Sequence, residues 1–347
     1  MKALITLPKN GNFPRFFTDE NIALANSLGE MIWNEKERQL TVDEIVARVG
    51  DCDAYITGWG SPALDRTILD AAPDLRLLVH LCGSVAGYAG DAVWERGVRV
   101  ICGNDFFAES VAEGTVGYML SALRDIPQYS IALSERGEWK RSGVYTKSLL
   151  GKTVGVVSYG TIARYLVRML QPFRVKIKVY DIAPLPPADV AQYGLQQASL
   201  AEVFSTSDII TVHTPLLEQT YHLIDEKLLK LIPDGALLVN TSRGAIIDQA
   251  ALERELQTGR FQAALDVYEQ EPITKESPLT GLKNALLMPH MAGPTTDLLQ
   301  VITRNLLQES ADYLDRGVPL RHEITRERAA MMTVNQSELI KKMKGKL

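Results

Sequence analysis

Cysteine is scarce. Cys52, Cys82 and Cys102 are the only three in 347 residues. Their odd number and lack of metal-ligand spacing exclude a disulfide framework and give no metal site, so they read as free thiols of a reducing cytoplasm. No apolar run reaches membrane-spanning length and no secretory leader opens the chain, so no membrane partner is expected. Dense basic runs are missing before the extreme C-terminus and the net charge is -5, which excludes nucleic acid as an expected partner. Low-complexity tracts and short-period repeats are also missing.

What is present is an alternation. An apolar fraction of 46% over this length supports two domains with cores of their own. Before Gly103, strand-like runs fall at Lys2–Leu7, Ala54–Gly58, Leu75–Leu81 and Val98–Cys102. Helical stretches fall at Asn21–Met31, Thr41–Val49, Ala63–Ala71 and Asp91–Glu95. From Gly151 the alternation resumes, with strands expected at Val154–Val157, Ile177–Tyr180, Ile209–His213, Ala236–Asn240, Ala263–Val267 and Ala285–Met288. Strands separated by helices predict parallel sheets covered on both faces, an α/β fold. Ser110-Val-Ala-Glu113 and Ser199-Leu-Ala-Glu202 have the spacing of capping boxes, Asp248 that of an N-cap, and Gly259 that of a helix stop. Glu113 is thereby expected to cap a hinge helix. Residues 124–150 read as a polar excursion or partner-contact arm. The apolar-periodic run after Pro294 reads as a long helix returning to the N-terminal domain, and the charged tail from Arg326 as a solvated end.

The stretch Lys152–Asp181 reads strand, tight turn, amphipathic helix, strand, with an acidic residue about 20 positions after the turn. This is the dinucleotide-binding pattern. A Gly-x-Gly-x-x-Gly motif would place glycines at 158, 160 and 163, where the chain has Ser158, Gly160 and Ala163. Ala163 still permits close helix–strand packing, whereas Ser158 stands where glycine normally allows the turn. A pyrophosphate would sit on the N–H groups at the helix start, and the Asp181 carboxylate would accept from the adenosine ribose hydroxyls.

Polar residues gather at later strand ends: His213, Asn240-Thr-Ser-Arg243-Gly244, Asp266, Glu271 and His290. In open α/β sheets ligands bind at this edge. The stretches Val-His213-Thr-Pro-Leu, Asn240-Thr-Ser-Arg243-Gly, Ala-Leu-Asp266-Val-Tyr-Glu-Gln-Glu271-Pro and Met-Pro-His290-Met-Ala-Gly293 resemble the D-isomer-specific 2-hydroxyacid dehydrogenases over residues 50–325. The resemblance implies a Rossmann-type doubly wound parallel sheet (residues 106–295) inserted into a smaller flavodoxin-like α/β substrate domain (residues 1–105 plus 296–330). Residues 331–347 remain as a tail.

The resemblance further implies Arg243, Glu271 and His290 as the catalytic trio. Arg243 presents a rigid donor fork suited to a substrate carboxylate and carbonyl. An imidazole titrates near neutral pH, so His290 suits the hydroxyl proton. Glu271 would orient that imidazole. Formate dehydrogenases of the wider group carry Gln at the Glu271 position, so Glu argues against that activity. The cofactor implied is NAD. Tyr159, Gly160, Thr161 and Ile162 would meet the pyrophosphate, Thr214, Pro215 and Thr220 would line the adenine side, and His213, a strand-end histidine, would have a structural or cofactor-lining role. Thr241 and Asp266 would sit near the nicotinamide, with Asp266 accepting from its carboxamide, and Ser242, Arg243, His290 and Gly293 are further cofactor-binding candidates. Asp181 repels a 2′-phosphate, and Ile182-Ala183-Pro184 offer no cation for one.

The family's substrate loop is altered. Its Gly-x-Gly falls on Cys82-Gly83-Ser84, its following acidic and Asn residues become Ala86 and Gly87, and a further Asn becomes Cys102. The N–H groups of Gly83, Ser84 and Val85 are expected to hold the carboxylate. The expected function is hydride transfer between NAD(H) and a small D-2-hydroxy acid/2-oxo acid pair in an interdomain cleft, by a homodimer. The alternative class is an NAD(H)-sensing, corepressor-like module without turnover. Oxidation of 3-phosphoglycerate is a weaker third, because no basic cluster is evident for its phosphate.

Overall fold

The computed structural model describes residues 1–140 and 146–345. The remaining part of the 124–150 arm and Lys346 of the tail lie outside the described residues. The chain divides into two compact units, Met1–Phe107 with Pro294–Asn335, and Ala108–Gly293 with Gln336–Leu347. Among the described residues each unit holds one sheet, and every strand pair is parallel.

The first unit contains β1 (Lys2–Ile5), β2 (Glu30–Trp33), β3 (Ala54–Thr57), β4 (Leu77–His80) and β5 (Arg99–Cys102), in the order β2-β1-β3-β4-β5. This is the flavodoxin-like order expected from the family resemblance. The central strands are apolar on both faces because helices cover both. Ile45, Ile68 and Val93 pack on one side, and Leu299, Ile302 and Leu306 of the helix Thr296–Arg316 on the other. The long helix after Pro294 thus returns to the N-terminal unit, as its apolar period predicts. The predicted helix Asn21–Met31 ends early, at Leu28, and Glu30–Trp33 instead forms edge strand β2. Pairing with β1 outweighs the local helical pattern there.

The second unit contains β6 (Thr153–Val157), β7 (Lys176–Tyr180), β8 (Gln196–Gln197), β9 (Ile209–Val212), β10 (Leu237–Asn240), β11 (Gln262–Leu265) and β12 (Ala285–Leu287). Their order, β12-β11-β10-β9-β6-β7-β8, is the Rossmann order with a seventh strand at one edge. The topological switch lies between β6 and β9. The α/β class with two parallel sheets is therefore as the sequence indicates. Ser199 and Asp248 cap their helices through the Glu202 and Ala251 N–H groups, and Gly259 stops the second of these with φ 75°.

Two further expectations are overturned. Ser110 and Glu113 form no capping box, because the helix begins at Asn104 and runs to Leu123. Ser110 is buried in its middle and Glu113 is exposed. The tail is not simply solvated either. Gln336–Lys344 is a helix, and Leu339 is buried against the second unit's core with Ile340 and Met343 beside it. Its 336, 339, 340, 343 spacing is an amphipathic stripe, masked in the sequence by the surrounding lysines.

Candidate active site

The switch point puts the β6 turn and the start of the helix Thr161–Leu170 at the carboxyl edge of the sheet. Ser158 occupies the left-handed region with φ 75°, a conformation costing a non-glycine residue about 1–2 kcal/mol. Its hydroxyl is 2.8 Å from the Thr214 hydroxyl, which ties the turn to the end of β9. The Tyr159 N–H donates to Asp181 Oδ2 at 2.7 Å, and the Ala183 N–H donates to Oδ1 at 2.8 Å. Asp181 thus fixes the turn from the end of β7. Gly160 precedes the helix without a side-chain cap, and nothing lies within 4 Å of where its Cβ would stand. An open glycine at a helix N-terminus beside a strand-end aspartate fits a dinucleotide.

The following loop is built by Thr220, whose hydroxyl donates to Pro215 O (2.7 Å) and accepts from the Leu217 N–H (2.8 Å). His213 is buried beyond β9, with Nε2 2.9 Å from Thr211 Oγ1. Burial pushes its pKa down to about 3. In the first unit His80 is also buried, sits 3.0 Å from Thr57 Oγ1, and its ring centroid lies 4.0 Å from that of Tyr88 at a 30° tilt; burial holds its pKa near 3 as well.

Both imidazoles are neutral bases whose folded pKa lies below the unfolded value of about 6.5. Above that pH they add no pH dependence. Below it only the unfolded chain binds the proton, so each removes about 1.4 kcal/mol of stability per pH unit as the pH falls towards 3. Thermal denaturation from pH 7 to pH 5 is expected to show a falling midpoint, with a shallower slope in His80→Gln. Equal slopes in both proteins would refute a buried neutral His80.

The catalytic candidates come together within the second unit. His290 Nδ1 is 2.8 Å from Glu271 Oε2. Burial acts to raise the Glu271 pKa, but hydrogen bonds from His290 and the Tyr268 N–H outweigh it and hold the carboxyl below its ordinary value. An ionised carboxylate accepts only, so Nδ1 carries the proton and Nε2 is the ring nitrogen not engaged by Glu271. His290 itself has φ 55°, a conformation His tolerates better than most residues. Its N–H donates to Asp266 O at 2.9 Å. Burial lowers the pKa of Arg243, an effect only partly offset by the Glu271 and Asp266 carboxylates nearby. Its turn is organised by Asn240, whose Oδ1 accepts from the Ser242 N–H (3.0 Å) and hydroxyl (2.8 Å). The Asn240 Nδ2 donates to Arg243 O at 3.0 Å.

Asp266 is fully buried and already holds three donors: the Met291 N–H (2.7 Å), the Ala292 N–H (3.0 Å) and the Tyr118 hydroxyl (3.0 Å). The carboxylate therefore pins the loop that carries His290. Nothing in the sequence around Tyr118 marks this role, because its partner is 148 residues away. Thr115, one turn earlier, pairs with the Thr241 hydroxyl at 2.9 Å. Tyr118→Phe removes one donor from a buried carboxylate, an expected cost of about 1–2 kcal/mol. A thermal midpoint unchanged within error would contradict that cost.

In the first unit, Gly83–Val85 follow β4. The Ser84 hydroxyl donates to Thr333 O at 3.0 Å, and the Val85 N–H lies 3.5 Å from Met332 Sδ. Val85 is fully buried. Cys102, in the place of the family's Asn, directs its thiol to Gly83 O at 3.3 Å, and burial raises its pKa to about 12. Among the described residues no group of three His, Cys, Asp or Glu side chains is placed to hold a metal ion, and no helix is long and apolar enough to cross a membrane.

The sheet order, open glycine turn and strand-end Asp181 define a dinucleotide-binding α/β protein. Residues 116–292 match the family model described as the NAD-binding domain of D-isomer specific 2-hydroxyacid dehydrogenases. The chain belongs to that family, and its cofactor is a nicotinamide dinucleotide. It is similar to a D-3-phosphoglycerate dehydrogenase of Methanocaldococcus jannaschii, 33% identical over 302 residues, 86% of this chain. The match spans 56% of that relative's length. A glyoxylate reductase of Korarchaeum cryptofilum is 30% identical over 272 residues, 76% of this chain and 81% of that protein. A solved glyoxylate reductase from Paecilomyes thermophila gives a TM-score of 0.78 at 25% identity, covering 94% of this chain and 99% of that one.

Proposed function

We propose that the protein is an NAD-dependent D-2-hydroxyacid dehydrogenase that interconverts a D-2-hydroxy acid and its 2-oxo acid. The observation that carries this is the 2.8 Å His290–Glu271 pair on a loop pinned by Asp266, with Arg243 in the field of both carboxylates. Bound nicotinamide supplies or accepts the hydride. His290 Nε2 gives a proton to the carbonyl oxygen in reduction and takes it from the hydroxyl in oxidation. Glu271 holds the ring by Nδ1 and stabilises the charge that forms. Arg243 offers its fork to the substrate carboxylate and the adjacent oxygen. A binding module without turnover needs no such acid–base pair.

NAD is preferred over NADP because the Asp181 carboxylate stands at the end of β7 and no cation follows in Ile182–Pro184. The protein is proposed to form a homodimer through the arm after Arg124, where Ile126, Ile131, Leu133 and Trp139 are exposed. Light scattering that reports a monomer at micromolar concentration would overturn that assembly. For the activity, purified protein is incubated with NADH and glyoxylate, hydroxypyruvate, pyruvate and branched 2-oxo acids. Oxidation of NADH with at least one is expected; no turnover with any of them between pH 5 and 9 would refute the assignment.

A further inference from the structure

The carboxamide of Gln336, first residue of the C-terminal helix, joins two loops of the second unit. Its Oε1 accepts from the Ala245 N–H at 3.2 Å. Its Nε2 donates to Tyr268 O at 2.8 Å and Glu269 O at 3.3 Å. Ala245 is two residues after Arg243. The Tyr268 N–H donates to Glu271 Oε1 at 3.0 Å, and the other oxygen of Glu271 meets His290. One amide therefore binds the loop that carries the guanidinium and the turn that carries the Glu271 carboxylate. The same loops touch through Gly244, whose Cβ would stand 1.9 Å from the Tyr268 carbonyl carbon. Docking of the helix itself is supplied elsewhere, by buried Leu339 with Ile340 and Met343 and by the Lys342–Glu218 ion pair.

We infer that Gln336 is a positioning residue that sets the spacing between the Arg243 loop and the Tyr268–Glu271 turn. This rests on the dehydrogenase activity proposed above. The amide's two ends serve different loops. Gln336→Glu keeps the acceptor for the Ala245 N–H but loses both donors to the turn that carries Glu271, whereas Gln336→Ala loses both arms.

The test is steady-state reduction of the best 2-oxo acid by the full chain across pH 5 to 9, for wild type, Gln336→Glu, Gln336→Ala and Leu339→Ala. Gln336→Glu is expected to lower kcat about tenfold, the equivalent of one hydrogen bond. Its basic limb should move to lower pH because the proton donor is less well supported by Glu271, and KM should stay within about twofold. Gln336→Ala is expected to lower kcat similarly and also raise KM several-fold as the Arg243 loop loosens. Leu339→Ala should lower the thermal midpoint with the pH profile unmoved. Kinetics of both Gln336 variants within twofold of wild type, with unmoved limbs, would overturn the inference while leaving the activity standing. So would failure of both variants to fold where Leu339→Ala folds, which would make Gln336 purely structural. An inactive wild type that still binds NADH would overturn the proposed activity and this role with it.

Discussion

Replacing His290 by asparagine is expected to lower kcat for 2-oxo acid reduction by about 10²- to 10⁴-fold, the range a positioned acid–base contributes. Asparagine is the informative substitute because residue 290 has φ 55°, and Asn is among the side chains that accept a left-handed backbone. The loop itself should persist. Its Met291 and Ala292 N–H groups and the residue 290 N–H are held by Asp266 independently of the imidazole. The variant therefore loses the transferable proton and little else. NADH affinity, read by fluorescence titration, should stay within a few-fold. The limb of the pH–rate profile that reports the proton donor should vanish. A kcat within about tenfold of wild type would be too small a loss for the acid–base role assigned to His290.

Gly244→Ala is expected to produce the largest structural effect of any single methyl group at this site. The added Cβ would lie 1.9 Å from Tyr268 C, 2.2 Å from Tyr268 O and 2.3 Å from Glu269 N. All three are backbone atoms, so no rotamer change relieves the overlap, and the turn leading to Glu271 must move by an ångström or more. Overpacking of this severity costs about 3 kcal/mol or more, which in a domain of this size lowers the thermal midpoint by about 6–12 °C. A catalytic group displaced by about 1 Å loses on the order of 10²-fold in rate. Gly117→Ala is the control. It lies within the helix Asn104–Leu123 with nothing within 4 Å of its Cβ, and it is expected to gain about 0.5–1 kcal/mol from helix propensity. Circular dichroism melts of the two variants check both signs, and a Gly244→Ala protein as stable as wild type would mean that the two loops are not in contact.

Much of the fold was legible because parallel sheets have strong local signatures. Short β-branched runs such as Thr153–Val157 and Ile209–Val212 alternate with amphipathic helices, and each period is set by neighbours in the chain. The glycine turn was legible in spite of Ser158, since Gly160 and Asp181 keep their spacing. What failed were elements defined by distant partners. Strand β2 exists because β1 pairs with it. The Ser110-x-x-Glu113 signature was overridden by a helix already under way from Asn104. The terminal helix was hidden because its four apolar or semi-polar positions sit among lysines, and only a receiving surface reveals the stripe.

The sequence by itself determined the two parallel sheets and the order of the motifs along the chain, and it marked Arg243, Glu271 and His290 as candidate groups. Tertiary structure alone decided how those groups are held. Asp266 takes the hydroxyl of Tyr118, 148 residues away, and the Gln336 amide takes the carbonyl of Tyr268, 68 residues away. Secondary structure follows from steric and hydrogen-bond preferences repeated every two or 3.6 residues. The partner of a buried polar group follows no period. It is fixed where two remote segments cross and each must satisfy the other's donors and acceptors.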